Sequence, residues 1–471
     1  MIDFMIKVYR GKSMINRILS FFEVRERNSM LSVEIVAGIT TFMTMSYIIF
    51  LQPNILAGLM PGAQPTGMDK EALLVTTCIA AAFGSILMGI LANYPIALAP
   101  GMGENFFFVS LVGICASPEI GLKGAEAWQT TLAAVFISGI IFLIITLLRI
   151  RKMIMNIISP SLQHAIAGGI GMFIALIGLR NSGLIVASDA GLFMTNNFQS
   201  KTLLIFAVGF LATAAMQALR IKGSILWGIL IGAAVALATG QIHFPSSPVS
   251  APPDISSVFM KMDFPNLMLH LPALIPFILI FTVMVVFDTI GTLVGVGTQA
   301  GLMKDNQLPK CERAFAADAC GTIFGALCGH STVTSYIESA AGVEHGGRTG
   351  LTAIVAGSCF LAAIFFSPFI GMIADYPPPF NPITAPALVL VGAMMLKNVS
   401  KISWDDYTES IPAFLVLVGI PFSSNIGDGL AFGLISYPVI KLLTGKRREI
   451  SWFTYVIGTI LVMYLLFLRT A

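Results

Sequence analysis

Charge is scarce in this sequence. Asp, Glu, Lys and Arg make up 11% of its 471 residues, about half the share of a soluble globular domain, so a water-facing surface over the whole fold is excluded. A large charge of one sign is missing too. The formal net charge is +3, and the basic residues sit in short connecting stretches rather than in one block, which argues against a nucleic-acid partner. The six cysteines (Cys78, Cys115, Cys311, Cys320, Cys328 and Cys359) are scattered, mostly in apolar stretches, and form no CxxC pair. That leaves disulfide frameworks and zinc sites unsupported, and the thiols read as core packing. "GMG" at 101–103 lacks both the third glycine and the strand–helix setting of a nucleotide loop. No metal-ligand cluster, catalytic triad or phosphate loop stands elsewhere, so no cofactor, metal or enzymatic chemistry is expected.

Apolar residues, at 56%, fill the place of the missing charge. Runs long enough to cross a hydrocarbon layer of ~30 Å recur from end to end, for example at 33–53, 72–92, 128–148, 202–219 and 349–372. An all-α polytopic membrane protein in a lipid bilayer is therefore expected. Residues 1–29 place Lys7, Arg10, Lys12, Arg17, Arg25 and Arg27 between apolar side chains, without the compact apolar core and small-residue cleavage site of a signal peptide. They read as a basic helix on the cytoplasmic surface.

Lys and Arg mark cytoplasmic loops, which puts the N-terminus inside. Alternation then predicts inside loops at Arg149/Arg151/Lys152, Arg220/Lys222, Lys304/Lys310/Arg313, Arg348, Lys397/Lys401 and Lys446/Arg447/Arg448, and every one is basic. "QIHFPSSPVSAPPD" (241–254) and "DYPPPFNP" (375–382) fall outside and carry no Lys or Arg. The count is fourteen spans, near 33–53, 72–92, 95–114, 128–148, 160–179, 202–219, 223–240, 272–297, 311–328, 331–344, 348–372, 381–397, 409–422 and 424–442. A further apolar piece, 452–468, either crosses or lies along the surface.

Spans three (95–114) and ten (331–344) are interrupted by small, polar or proline residues, and each holds a glutamate. They read as broken helices. An ungapped offset of 234 lays Glu104 on Glu338, "GILAN" matches "GALCG" after a short gap, and "LRNSG" (179–183) resembles "LKNVS" (396–400). Seven spans per half is an odd number, so the second half must be inverted relative to the first. Inverted halves with paired discontinuous helices point to a secondary transporter.

A carboxylate near the bilayer centre costs at least ~2.5–3.5 kcal/mol, so each one is a candidate functional residue. The candidates are Glu104, Asp288, Asp318 and Glu338. Glu338 and Asp288 lie deep in their spans beside glycine and hydroxyl neighbours that let a ligand approach, and they lead the set. Glu104 either meets substrate or caps its half-helix. Asp318, five residues past Arg313, reads as an ion pair at the cytoplasmic end or a helix contact, and Asp428 as a cap. Carboxylates in a dry chamber call for N–H donors, ideally two in a plane, or for a cation or proton. No Arg or Lys lies within the broken spans, which disfavours anion exchange. Phe106 and Tyr336, each two residues from a site glutamate, are placed to stack a flat heterocycle. Asn105, Thr289, Thr334, Ser335 and Ser339 offer amide or hydroxyl contacts or join helices, and His330 reads as a satisfied helix-end residue.

These segments resemble the nucleobase:cation symporter family 2, in its AzgA-like purine permease branch. The resemblance covers 33–445 and rests on "AGITTFMTMSYIIFLQPNIL", "ALAPGMGENFFF", "VFDTIGTLVGVG", "RAFAADACGT", "STVTSYIESAAGVEHGGRTGLTAIVAG", "ITAPALVLVGAMM" and "SIPAFLVLVGIPFSSNIGDGLAFGLISY". It implies fourteen segments in a 7+7 inverted repeat, with short β-strands before the half-helices of spans three and ten. It also implies a core domain (30–150 and 271–375, spans 1–4 and 8–11) and a gate domain (151–270 and 376–445, spans 5–7 and 12–14), flanked by the basic segment 1–29 and the apolar segment 446–471. The function implied is proton-driven import of hypoxanthine, guanine or adenine across a bacterial inner membrane, by a homodimer. Motif match lays Asp288 and Glu338 on the family's substrate acids and Asn105 on its polar residue of span three. Two positions depart from the pattern: Glu104 stands where a neutral residue is usual, and Val285 where a further acid is common. The coupling proton is then assigned to Asp288 or Glu104. A uracil or xanthine permease of the same fold and an anion exchanger of similar architecture are the alternative readings.

Overall fold

A computed structural model describes residues 14–60, 63–148, 159–188, 191–195, 197–303, 308–377, 379–423 and 426–467. Lys7, Arg10 and Lys12 of the basic start, Arg149, Arg151 and Lys152 of the first basic loop, and Lys304 lie outside the described residues.

Hydropathy and capping together explain where the spans begin and end. Span one runs Leu31–Leu56 with a turn at Ser46, and span two runs Lys70–Ala92. Asp69 caps span two by accepting from the N–H groups of Glu71 and Ala72, and Asn93 ends it in the left-handed conformation. Span four is Ala125–Leu147 and span five Pro160–Asn181, the latter with Ser159 as cap and Pro160 in its first turn. Span six is Lys201–Ala218, seven Ser224–Ala238, eight Leu271–Gln299 and nine Cys311–Leu327. Span eleven covers Gly350–Ala374, twelve Ala385–Met395, thirteen Tyr407–Ser423 and fourteen Ile426–Leu443.

Among the described residues, eight of these helices are long and apolar enough to cross a membrane unaided. The others are shorter or broken, and in spans three and ten a strand completes the path. Span three is strand β1 (Leu98–Pro100) followed by helix Met102–Cys115. Span ten is strand β4 (Val333–Ser335), a tight 3₁₀ turn Ile337–Ser339 and helix Ala340–Glu344. β1 and β4 pair antiparallel, with Leu98 opposite Ser335, Ala99 opposite Thr334 and Pro100 opposite Val333. Two segments that head in opposite directions and meet strand to strand are what inverted halves would present.

The helices pack in two sets. Span two lies against eleven and nine, one against eleven, and four against nine and eight. Span five lies against twelve and thirteen, thirteen against fourteen, and six against seven. Contacts between the sets are sparser: span seven touches one, fourteen touches three, and the Phe106 ring of span three meets Phe173 of span five edge-on at 5.5 Å.

Two elements went unread in the sequence. Residues after span five form a hairpin of β2 (Ile185–Ser188) and β3 (Gly191–Met194), and a short helix, Phe264–Leu269, precedes span eight. β-branched residues ahead of an Asp-Ala-Gly turn, and Asp263 ahead of a proline, were the available signals. The apolar end of the chain forms helix Trp452–Phe467, which packs along span fourteen and touches span eight. An apolar crevice at that junction is lined only by aliphatic side chains and proline, among them Ile280, Leu434 and Leu461. It offers nothing to a polar ligand.

Candidate functional site

Unpaired backbone is costly at membrane depth, so the β1–β4 pair must have its hydrogen bonds met by protein. They are met from several sides. The ladder is extended by Gly101 N–H to the Thr332 carbonyl (2.9 Å) and Tyr336 N–H to the Ala97 carbonyl (3.0 Å). Ser85 of span two accepts from the N–H of Leu98 and donates to its carbonyl, Ser339 accepts from Ala97 N–H, and Thr322 of span nine donates to the Val333 carbonyl. Gly325 of span nine makes room, since a Cβ there would lie 2.6 Å from Val333 Cγ2. The whole strand pair is buried.

Alternation along β4 then decides which acids its hydroxyls reach. Thr334 donates to Asp288 Oδ2 of span eight at 3.0 Å. Ser335, on the other face, donates to Asp318 of span nine at 2.9 Å, and its N–H adds a longer bond at 3.3 Å. Thr289 gives Asp318 another hydroxyl at 2.5 Å. Asp318 is fully buried and ties spans eight, nine and ten together. It is the helix contact of the two readings considered for it, and its described bonds come from these hydroxyls and an N–H rather than from Arg313.

Glu338 sits in the tight turn after β4, and its Oε1 accepts from the hydroxyl of Tyr47 in span one at 2.8 Å. Glu104 lies in the first turn of the helix after β1 and folds back over Gly101: a Cβ on that glycine would stand 2.3 Å from Glu104 Oε2 and 3.3 Å from Thr334 Oγ1. The Tyr336 phenol, donating to the Pro100 carbonyl at 2.5 Å, is within electrostatic reach of Glu104, Asp288 and Glu338 alike. Three acids from spans three, eight and ten thus share one neighbourhood. Asp288 is exposed there, as are Gly291 and Val294 on the same side of span eight and Ile337 beside them. Nothing lies within 4 Å of where a Cβ on Gly291 would be. Asp288 is thus the accessible member of the group, while Glu104 and Glu338 are buried beside it.

The remaining predicted residues divide between lining and support. Asn105 is fully buried: its amide pairs with that of Gln52, and its Oδ1 also accepts from Ser331. His330, also fully buried, bridges Gln52 and Thr76. Thr289 and Ser339 commit their oxygens to Asp318 and to the strand backbone. Phe106 is buried against Phe173, and Val285 is core. Reasoning from the sequence overlooked Tyr47 and Gln52. Both are polar groups in a 26-residue apolar span, and a buried phenol or amide demands a partner.

A helical bundle in which two broken spans meet strand to strand and bring carboxylates together among apolar helices has the architecture of a membrane transporter. The chain belongs to the Permease family Xan_ur_permease, which matches residues 32–431. It is 42% identical over 449 residues to the putative permease MJ0326 of Methanocaldococcus jannaschii, covering 95% of this chain and 98% of that one. The guanine/hypoxanthine permease PbuG of Bacillus subtilis is 37% identical over 457 residues (96% and 100% covered). The adenine permease AdeQ of Escherichia coli is 39% identical over 444 residues (94% of each). In fold the chain is similar to the transmembrane domain of the cyanobacterial bicarbonate transporter BicA, with a TM-score of 0.56 at 13% identity (88% and 96% covered). It is likewise similar to the murine anion transporter Slc26a9, with a TM-score of 0.58 at 10% identity (93% and 73% covered).

Proposed function

We propose that this permease imports purine nucleobases, in the guanine, hypoxanthine and adenine class, by proton-coupled alternating access. The observation that carries the reading is the shared position of Asp288 and Glu338: the described bonds to both carboxylates come from hydroxyls, Thr334 and Tyr47, and neither accepts from a Lys or Arg. Such acceptors are matched by the N–H edge of a flat heterocycle. The printed names of PbuG and AdeQ, a guanine/hypoxanthine and an adenine permease, support the same class.

In this mechanism Glu338 and Asp288 take the N–H groups of the base, and Tyr336 and Phe106 flank its ring. Thr289, Asn105 and Ser339 hold the surrounding backbone and acids. A proton on Asp288 or Glu104 relieves the crowding of like charge before the carrier turns inward. Spans 1–4 and 8–11 (30–150 and 271–375) form the moving core, and spans 5–7 and 12–14 (151–270 and 376–445) form the gate, a division that the denser packing within each set supports. The cycle must then break contacts such as Lys222 Nζ to His345 Nδ1, at 2.6 Å, which joins the loop between spans six and seven to the end of span ten. The same proposal places the protein in the cell inner membrane as a homodimer with its N-terminus in the cytoplasm.

A competition panel tests the substrate class. Unlabelled hypoxanthine, guanine and adenine are expected to block uptake of labelled hypoxanthine, and uracil, xanthine and bicarbonate to leave it unchanged. Block by uracil or xanthine alone would assign the protein to the pyrimidine or xanthine branch instead.

A further inference from the structure

We propose that Tyr47 is a positioning residue for the substrate carboxylate of Glu338, fixing the orientation in which that carboxylate meets the base. The proposal rests on the reading of Glu338 as a substrate acid given above.

Glu338 stands in a three-residue 3₁₀ turn between a strand and a five-residue helix, so its own element does little to hold its flexible side chain. Span one supplies the hold. Its Thr44 hydroxyl reaches the Glu338 carbonyl at 3.3 Å, and one turn on, Tyr47 donates to Oε1 at 2.8 Å. Tyr47 is 1% exposed and among the largest fully buried side chains, so its ring has no room to swing and its hydroxyl is a fixed donor. Tyr336 is no substitute, because its proton goes to the Pro100 carbonyl. With Tyr47 bonded to Oε1, the carboxylate is held in one orientation, and its remaining lone pairs are presented to a ligand from a fixed place. A phenol donor orients the acid without neutralising it, as an Arg or Lys would.

The test compares labelled-hypoxanthine uptake by full-length variants in proteoliposomes, with the amount of folded protein measured beside it. Tyr47→Phe is expected to raise KM by about tenfold, the loss of one hydrogen bond to a charged group, with Vmax per folded carrier within about twofold of wild type. A purely structural role would instead lower the folded fraction and leave KM where it was. Should Tyr47→Phe not fold, 4-methylphenylalanine at position 47 fills the same volume without the hydroxyl and is expected to raise KM equally. An unchanged KM in a folded hydroxyl-free variant, with Glu338→Gln inactive, overturns the role of Tyr47 and leaves the site intact. A fully active Glu338→Gln overturns the site itself, and the positioning role with it.

Discussion

Thr334 and Ser335 are neighbours in β4, yet they hydrogen-bond different carboxylates: Thr334 holds Asp288 at 3.0 Å and Ser335 holds Asp318 at 2.9 Å. The period of a strand sends one hydroxyl toward span eight and the next toward span nine. Two aspartates of similar chemistry thereby acquire different surroundings: Asp318 braces three spans, and Asp288 is the one the proposed mechanism gives to the ligand.

Substitution should separate those tasks. Asp318→Asn turns an amide N–H₂ toward donors that now meet an acceptor, so it is expected to destabilise the protein by about 1–3 kcal/mol. Asp288 is exposed with Thr334 as its described donor, and Asp288→Asn should leave the fold near wild type while removing uptake. Thermal unfolding in detergent, read beside transport, distinguishes the two. Equal stability of the variants would contradict the division.

Gly101 gives Glu104 its place. In Gly101→Ala the new Cβ would fall 2.3 Å from Glu104 Oε2, forcing the carboxylate off the glycine at an overpacking cost of about 1–3 kcal/mol. Uptake should fall, and Glu104→Gln in the same background should lower it no further. An alanine variant with wild-type uptake would show that the folded-back Glu104 is not needed.

Behind the acids, Gln52 and Asn105 pair amide to amide, and His330 leans on the same Gln52. Gln52→Leu strands both partners in a buried place, at about 1–3 kcal/mol. Combining it with Asn105→Leu should cost less than the two single changes added together, because one removes the other's unmet partner. Full additivity in unfolding experiments would show that the pair is not coupled.

Just before span one, Arg27 donates to the Asn93 and Arg348 carbonyls, and Glu23 is bonded to Lys310 at 3.0 Å and to Arg27 at 2.9 Å. The Lys310 ammonium, and after it the Arg27 guanidinium, hold the Glu23 carboxyl below the ordinary carboxylate range against the opposing effect of burial. A lowered folded pKa stabilises above the unfolded value of about 4.3 and is lost as pH falls through the lowered one. Amide exchange over 22–29, taken relative to the intrinsic rate at each pH, should therefore be flat from neutral pH down to about pH 5 and rise below about pH 4. Glu23→Gln should raise it at neutral pH and flatten the acid response.

Span placement was legible because apolar run length and basic loops are local properties of the chain. Asp69, Ser159 and Ser200, which cap their helices in the structure, went unread in the sequence. Glu104 and Glu338 stood out because an acid in an apolar segment is conspicuous wherever it points. Partnership was less legible, since it depends on contacts across the fold. Asp318 is bonded by Thr289, 29 residues away, and Ser335, 17 away. Tyr47 reaches Glu338 across 291 residues. Asn105 was recognisable as polar in a broken span, but only the fold reveals that Gln52 and Ser331 occupy its amide.

Uptake of labelled hypoxanthine into proteoliposomes under an imposed pH gradient, acid outside, tests the central claim most directly. Wild-type protein is predicted to accumulate the base and to lose accumulation when the gradient is collapsed, while Glu338→Gln, folded to the same extent, stays at the level of empty vesicles. Accumulation by Glu338→Gln equal to wild type would contradict the account.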